Sequence, residues 1–449
     1  MSECSERWQR FLSSARPGAA AAPVGGERTP FQQDYDRIVF TSAFRRLKDK
    51  TQVFPLSKSD YVRTRLTHSL EASCVGRSLG GIVGREIIAR HGLTDVESAD
   101  FGAITAAACL AHDVGNPPFG HAGEDAIREW FKTSGLLERY AFSAAERADF
   151  MRYEGNAQGF RVLTRLQNPD NPGLQLTAAV LAAFSKYPRA SELPEGDKED
   201  RQGKFGFFQD DAHAFAETAY AAGLTERLPG ALWQRHPLAY LVEVADDTCY
   251  LIVDLEDAAR LGFVHAKDAE ELLSNLAGDS LDTKKFGRMT DDRERISYLR
   301  AKAIGKLLED AAAVFLDRER EILSGEFQGD LLSASPAAGF LEDVKTVARD
   351  RIYVARPALE IETAGFEVLG GLLSLFIAAV EAGAGERAMT TRERMLLRLL
   401  PAQFLEKGQK PAASAYRRFL RVADFVAGMT DSYAVGLYRK LKGMDLPTE

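Results

Sequence analysis

The 449-residue sequence contains no closely spaced cysteine pair: Cys4, Cys74, Cys109 and Cys249 are scattered along it. This excludes a disulfide framework and a thiolate zinc site. Cys74, Cys109 and Cys249 stand in apolar helical patterns, where a free thiol packs as a small hydrophobe. Positive charge is not in excess either. The formal net charge is -8, which argues against coating duplex DNA, since nonspecific phosphate binding needs a basic surface. Apolar runs such as Phe366 to Val380 read as interrupted or too short to span a bilayer. The opening MSECSERWQRF lacks the charged-then-apolar order of a signal peptide. The expectation is a cytoplasmic protein with no membrane partner.

What is present is a globular composition, 45% hydrophobic, able to bury a large core. At roughly 100–200 residues per domain the length suggests two or three units. Residues Ala15 to Glu27 (ARPGAAAAPVGGE) read as a flexible linker. From Asp34 onward apolar residues recur at spacings of three and four, which predicts an all-α fold. Leu66, Leu70, Val75, Leu79, Val83 and Ile87 form one such stripe, and Ala99 to Leu110 is apolar nearly all round. The charged stretch Pro188 to Gly206 reads as a long surface loop. The division expected is a flexible tail over 1–30, a helical core over 31–265 and a C-terminal helical region over 266–449. The stretch Phe44 to Lys50 and the pair Arg63/Arg65 are basic islands, read first as solvated helix faces.

The most informative segment runs from His112 to Glu124, HDVGNPPFGHAGE. A His-Asp pair ends a strongly apolar helix, an expensive place for two polar groups without a partner. A divalent cation would satisfy both, and imidazole with carboxylate suits Mn, Fe, Co, Ni or Zn better than an all-oxygen Mg site. Upstream, RTRLTHSL places His68 at a helix start. Downstream, Asp246, Tyr250 and Asp254 follow at i, i+4 and i+8, and so share one helix face.

The order His68, His112–Asp113, Asp246 resembles that of the HD superfamily of metal-dependent phosphohydrolases. The stretches HDVGNPPFGHAGE, YEGNAQGFRVLTRLQ (Tyr153 to Gln167) and ADDTCYLIVDLEDA (Ala245 to Ala258) are similar to those of its dGTPase branch. The resemblance covers about 40–260 well and the C-terminal helices more weakly. It implies an HD-domain helical core with additional C-terminal helices, and a homo-oligomer, a hexamer among the forms it allows. The implied activity is metal-dependent cleavage of dGTP or a broader range of deoxynucleoside triphosphates, giving a deoxynucleoside and inorganic triphosphate. The alternatives are another HD-type nucleotide phosphohydrolase, or a dNTPase of different substrate preference regulated by a nucleotide or single-stranded nucleic acid effector.

By this resemblance His68, His112, Asp113 and Asp246 hold a divalent metal (Mn, Mg, Co, Ni or Fe), with Asp247 as the alternative to Asp246. His121 and Glu124, at i and i+3, are the acid/base pair, Glu124 orienting the imidazole. Gln52 and Val53 match residues that touch base and sugar, and Arg65 is suited to clamp a phosphate. Arg46 reads as structural. Asn116 is expected near phosphate or water, Tyr250 against the deoxyribose and Asp254 at its 3′-hydroxyl. Tyr153 stands where some relatives carry a histidine near the α-phosphate, with helix packing as the other reading. Glu362, in EIETAGF, belongs near the base pocket. His91, His213, His236 and His265 read as surface or capping residues.

Overall fold

A computed structural model describes residues 3–18, 27–52, 63–168, 173–193, 203–385 and 387–445. The first helices are α1 (Glu3–Phe11), α2 (Pro30–Val39), α3 (Ser42–Arg46), α4 (Arg65–His91), α5 (Ser98–Ala111) and α6 (Gly120–Thr133). Next come α7 (Ala144–Met151), α8 (Gly155–Arg161), α9 (Ala178–Phe184), α10 (Ala212–Ala221) and α11 (Pro237–Leu261). The chain continues through α12 (Ala266–Ala277), α13 (Thr283–Phe286), α14 (Asp292–Asp317), α15 (Glu319–Ser324) and α16 (Ala338–Val347). It ends in α17 (Arg356–Gly383), α18 (Thr391–Leu399), α19 (Ala415–Ala427) and α20 (Asp431–Leu441). Among the described residues the one sheet is a short antiparallel pair, β1 (Glu226–Leu228) and β2 (Leu232–Trp233), with Glu226 opposite Trp233. The fold is all-α.

The apolar side chains gather in two clusters. The first joins α4, α5, α9 and α11 to α12, α14 and α16. The second joins α6 and Tyr153 to α17, α19 and α20. The cleft that concerns function lies where α4, α5, α6 and α11 meet the start of α17. Helix α5 is buried nearly all round, as its composition requires.

Several expectations change on folding. Residues Glu3–Phe11, read as part of a flexible tail, form a helix that buries Trp8 and Phe11. Trp8 Nε1 donates to Glu319 Oε1 at 2.9 Å, so a large apolar surface and a satisfied donor hold the N-terminus down. Of the expected linker, residues 19–26 lie outside the described residues. In α4 the buried stripe is displaced at its first turns: Leu70 is exposed, whereas Arg65, His68, Ser69, Ala72 and Ser73 face inward. Those turns face the polar cleft, so polarity there marks the inside. The described flanks of the expected loop at 188–206 are buried too: Ala190 bridges Phe207 and Arg189 bridges Leu232. Cys74 is exposed and not a core thiol. Helix α17 is a continuous 28-residue helix, long and apolar enough to cross a membrane, yet it packs against α6, α18, α19 and α20. The basic islands are largely consumed. Arg63 pairs with Glu71, Glu256 and Asp257, Lys50 is buried, and Arg45 and Lys48 remain exposed.

Candidate metal centre and nucleotide pocket

His68 comes from the first turn of α4, His112 caps the C-terminus of α5, and Asp246 lies in the middle of α11. Their ligand atoms fall within 4.8 Å of one another. Asp246 Oδ1 lies 3.0 Å from His68 Nε2 and 3.3 Å from His112 Nε2. His112 Nδ1–H donates to the Cys109 carbonyl at 2.6 Å, which fixes the tautomer that presents Nε2 to the cluster. Asp113 stands beside them, its Oδ1 3.5 Å from His112 Nε2. That oxygen also accepts from Arg65 Nη1 at 2.9 Å and from Asn116 Nδ2. The other, Oδ2, is buried with no partner.

The electrostatics ask for positive charge at this point. Burial alone would lower His112, but Asp113 and Asp246 carry it up to about 9. Asp246 is driven the other way: burial raises it, and the two imidazoles bring it well below the usual carboxylate range. A site that so favours a proton among two nitrogens and two carboxylates has the donor set for a divalent cation, and an orphaned buried oxygen wants one. Asp247 turns from the cluster towards Lys186, with Glu243 and Asp330 nearby, and burial pushes it to about 7.

The loop after His112 is shaped by close approach. A Cβ on Gly115 would sit 2.1 Å from Gly155 O and Gly159 N, so GNPP and EGNAQG need glycine where they meet. Phe119 (φ 64) and Gly120 (φ 59) are both left-handed, and they turn the chain to start α6 with His121 at the pocket mouth. Burial lowers the His121 imidazole, with Arg65 and Lys204 adding to the effect and Glu124 opposing it. Among the described residues no hydrogen bond joins His121 to Glu124. The Glu124 carboxylate accepts from Gly155 N–H at 2.7 Å and from Arg128 at 3.3 Å, and lies 3.5 Å from Lys204. The expected orienting hydrogen bond is therefore replaced by a through-space attraction, because stronger donors hold the carboxylate.

The pocket itself is lined by Gln52, Arg65, His121, Tyr250, Tyr353 and Glu362, among others. Gln52 Oε1 and Arg65 Nε are buried without partners. Tyr250 stacks on Tyr353 with ring centroids 5.6 Å apart, and the Tyr353 hydroxyl donates to Asp254 Oδ2 at 3.4 Å. Burial raises Asp254 well above the usual carboxylate range, Asp257 adding to the effect. Val53 lies outside the described residues.

Two expected contacts take other places. Tyr153 is fully buried against Phe208, with its hydroxyl unpartnered in an apolar cluster, so it is a core residue and not a wall of the pocket. Asn116 spends its amide on Asp113 and its carbonyl on Lys50, behind the cluster. The EGNAQGFR segment positions rather than lines: Gly155 holds Glu124, while Arg161 binds Asp211 and Asp424 at 2.9 Å each. Tyr353, Lys204 and Glu154 were not singled out by sequence. Tyr353 follows a π-turn over Ala348–Ile352, a feature common beside functional sites. Of the other histidines, His236 caps α11, His91 meets Glu319, His265 precedes α12 and His213 is exposed.

Comparison with known proteins agrees in kind. Residues 65–152 match the HD domain and residues 334–440 the phosphohydrolase-associated domain. A deoxyguanosinetriphosphate triphosphohydrolase-like protein of Synechocystis sp. is 47% identical over 98% of this chain and 100% of its own length. One of Pseudomonas aeruginosa is 41% identical over the same shares. The deoxyguanosinetriphosphate triphosphohydrolase of Salmonella paratyphi A is 30% identical over 92% of this chain and 94% of its own. The HD domain is a metal-dependent phosphohydrolase fold, and the chain belongs to the deoxyguanosinetriphosphate triphosphohydrolase-like family.

Proposed function

We propose that the protein hydrolyses deoxynucleoside triphosphates, dGTP among them, to a deoxynucleoside and inorganic triphosphate. The observation that carries this is the meeting of His68, His112 and Asp246 beside a buried, half-unsatisfied Asp113, at the end of a pocket lined by Gln52, Tyr250 and Glu362. The names of the full-length relatives support the substrate class.

His68, His112, Asp113 and Asp246 would hold the cation, and the mixed nitrogen and oxygen donors favour Mn, Fe, Co or Ni over Mg. When bound, it neutralises phosphate charge and polarises water. Water adds to the α-phosphorus and the bond to the 5′-oxygen breaks. Arg65, fixed by Asp113, turns its remaining N–H groups to phosphate oxygens. His121 gives a proton to the leaving 5′-oxygen, with the nearby Glu124 charge opposing the burial that lowers the imidazole. Tyr250, backed by Tyr353, borders C2′ and excludes a ribose hydroxyl, while Asp254 and Gln52 take the sugar and base ends. We also place the protein in the cytoplasm, as a homo-oligomer open to a nucleotide or single-stranded nucleic acid effector. Exposed Val354, just before α17, and Leu359, in its first turn, support subunit contact.

The test is incubation with each dNTP and NTP in Mn or Mg, with products resolved by anion-exchange chromatography. Deoxynucleoside with intact triphosphate supports the proposal; release of monophosphate, diphosphate or pyrophosphate overturns it.

A further inference from the structure

The pocket has two walls that come from separate parts of the chain. One is the segment Thr51–Gln52, and the other is the left-handed turn Phe119–Gly120 that delivers His121. Thr51–Gln52 lies outside any helix and Phe119 is the N-cap of α6, so neither backbone N–H is held by a helical hydrogen-bond ladder. Phe119 is the sharper case: a bulky residue at φ 64 persists only where its surroundings determine it. Its N–H is also one of the donors a helix start leaves without an internal partner.

Both walls end on one carboxylate. Asp431, the first residue of α20, is 1% exposed. Its Oδ1 accepts from Phe119 N–H at 3.0 Å. Its Oδ2 accepts from Thr51 N–H at 3.0 Å and from the Thr51 hydroxyl at 2.6 Å. Lys50, next to Thr51 and 3% exposed, repeats the pattern with a cation: its Nζ donates to Asn116 O at 2.5 Å and to Ala427 O at 3.0 Å. Burial pushes Lys50 down to about 7, Arg46 and Arg65 adding to this and Asp431 and Asp113 opposing. Beyond Thr51, the strand-like bridge to Thr64 and the bond from Arg65 N–H to Lys50 O carry the same fixation to the start of α4.

We propose that Asp431 is a positioning residue for the reaction, the point at which the C-terminal helices set the distance between the two walls of the nucleotide pocket. This rests on the dNTP triphosphohydrolase reading above. Asp431 touches no substrate; it acts through Thr51–Gln52 on recognition and through Phe119–His121 on chemistry. A buried carboxylate that accepts from one buried and two half-buried donors is stiff, since each bond is charge-assisted. The two arms are separable by mutation. Thr51→Val removes the hydroxyl donor and leaves Thr51 N–H, so only the Gln52 wall loosens. Asp431→Asn faces one wall's donor with an amide N–H and leaves the other wall a neutral, weaker acceptor, so it loosens both.

The test measures kcat, KM and dGTP-induced thermal shift for the whole protein, wild type beside each variant. Thr51→Val should raise KM about three- to tenfold, the scale of one lost hydrogen bond, with kcat within about twofold. Thr51→Ser, which keeps the hydroxyl, should recover most of that loss. Asp431→Asn should raise KM and also lower kcat, each by about tenfold or more. Ser432→Ala, which removes only the bond to Asp49 at the same corner, should change neither constant and controls for general loosening. A folded Asp431→Asn with wild-type kcat and KM overturns the proposal, as does a Thr51→Val loss that appears in melting temperature alone. Wild-type protein that binds and cleaves no dNTP overturns the parent reading, whereas variants indistinguishable from an active wild type overturn this inference only.

Discussion

The metal end and the nucleotide end of the cleft are built differently. His68, His112 and Asp246 stand on or at the ends of three long helices packed against one another, and even the ring of His112 is tied to its own helix by the Cys109 carbonyl. The nucleotide end mixes helical residues, Tyr250 on α11 and Glu362 on α17, with Gln52 on an irregular segment, Phe119 in a left-handed turn and Tyr353 after a π-turn. Stabilising charge in a reaction needs groups that do not reorganise, which rigid helices provide. Discriminating among nucleotides also needs side chains on backbone that can vary without disturbing the metal, which the non-helical part of the lining, Gln52 and Tyr353, provides.

The largest expected effect lies at the metal end. His112→Ala should abolish turnover with every dNTP and leave the far-ultraviolet circular dichroism close to wild type, since one imidazole at a helix end supports little apolar packing. Next comes the junction of the two ends. His121→Ala should lower kcat by roughly 10²–10⁴-fold, the usual worth of general acid/base help, with KM little changed because the benefit arises only as the bond breaks. Glu124→Gln should cost less, because the amide oxygen still accepts from Gly155. Single-turnover rates across pH measure both. At the nucleotide end, Tyr250→Ala should erode preference for dNTP over NTP by about 1–3 kcal/mol, the range for one group in a pocket. Equal hydrolysis of ribonucleotides by the wild type would remove the basis for that role.

The smallest effect lies away from both ends. Asp149 accepts from Ser191, Tyr416 and the Gln209 N–H, and burial raises it to about 7 against those bonds. A carboxyl raised on folding contributes stability that is fully present below its unfolded value near 4 and is lost as pH rises to about 7. Melting temperature should therefore fall between pH 4 and 7 more for wild type than for Asp149→Asn. A parallel pair of curves would show that Asp149 does not titrate there.

This division also explains what the sequence makes legible. The helices of the metal end are carried by long apolar periodicity, and its polar residues stand out because they interrupt it: His112–Asp113 ends an apolar helix and Asp246 breaks the apolar face of α11. Residues of the nucleotide end carry no such signal. Tyr353 and Asp431 are unremarkable in their own segments and Lys50 reads only as part of a basic stretch; they acquire meaning through partners such as Asp254, Thr51 and Asn116 far away in the chain. Tyr153 is open to two readings in the sequence, pocket or helix packing, and its burial favours the second. An aromatic beside a functional motif reads as part of it, yet the motif's work is done by the Gly155 backbone while the ring fills the core. The first turns of α4 mislead for a related reason, since a stripe rule assumes that the inside is apolar, and there the inside is the cleft.

The central claim is that the metal end and the nucleotide end act as separate parts, and metal stoichiometry tests it most directly. Elemental mass spectrometry on wild type, Asp113→Ala and Glu362→Ala, each loaded with Mn and then exhaustively dialysed, should find the cation retained in wild type and Glu362→Ala and lost from Asp113→Ala. Retention of the cation by Asp113→Ala, or its loss from Glu362→Ala, would contradict the account.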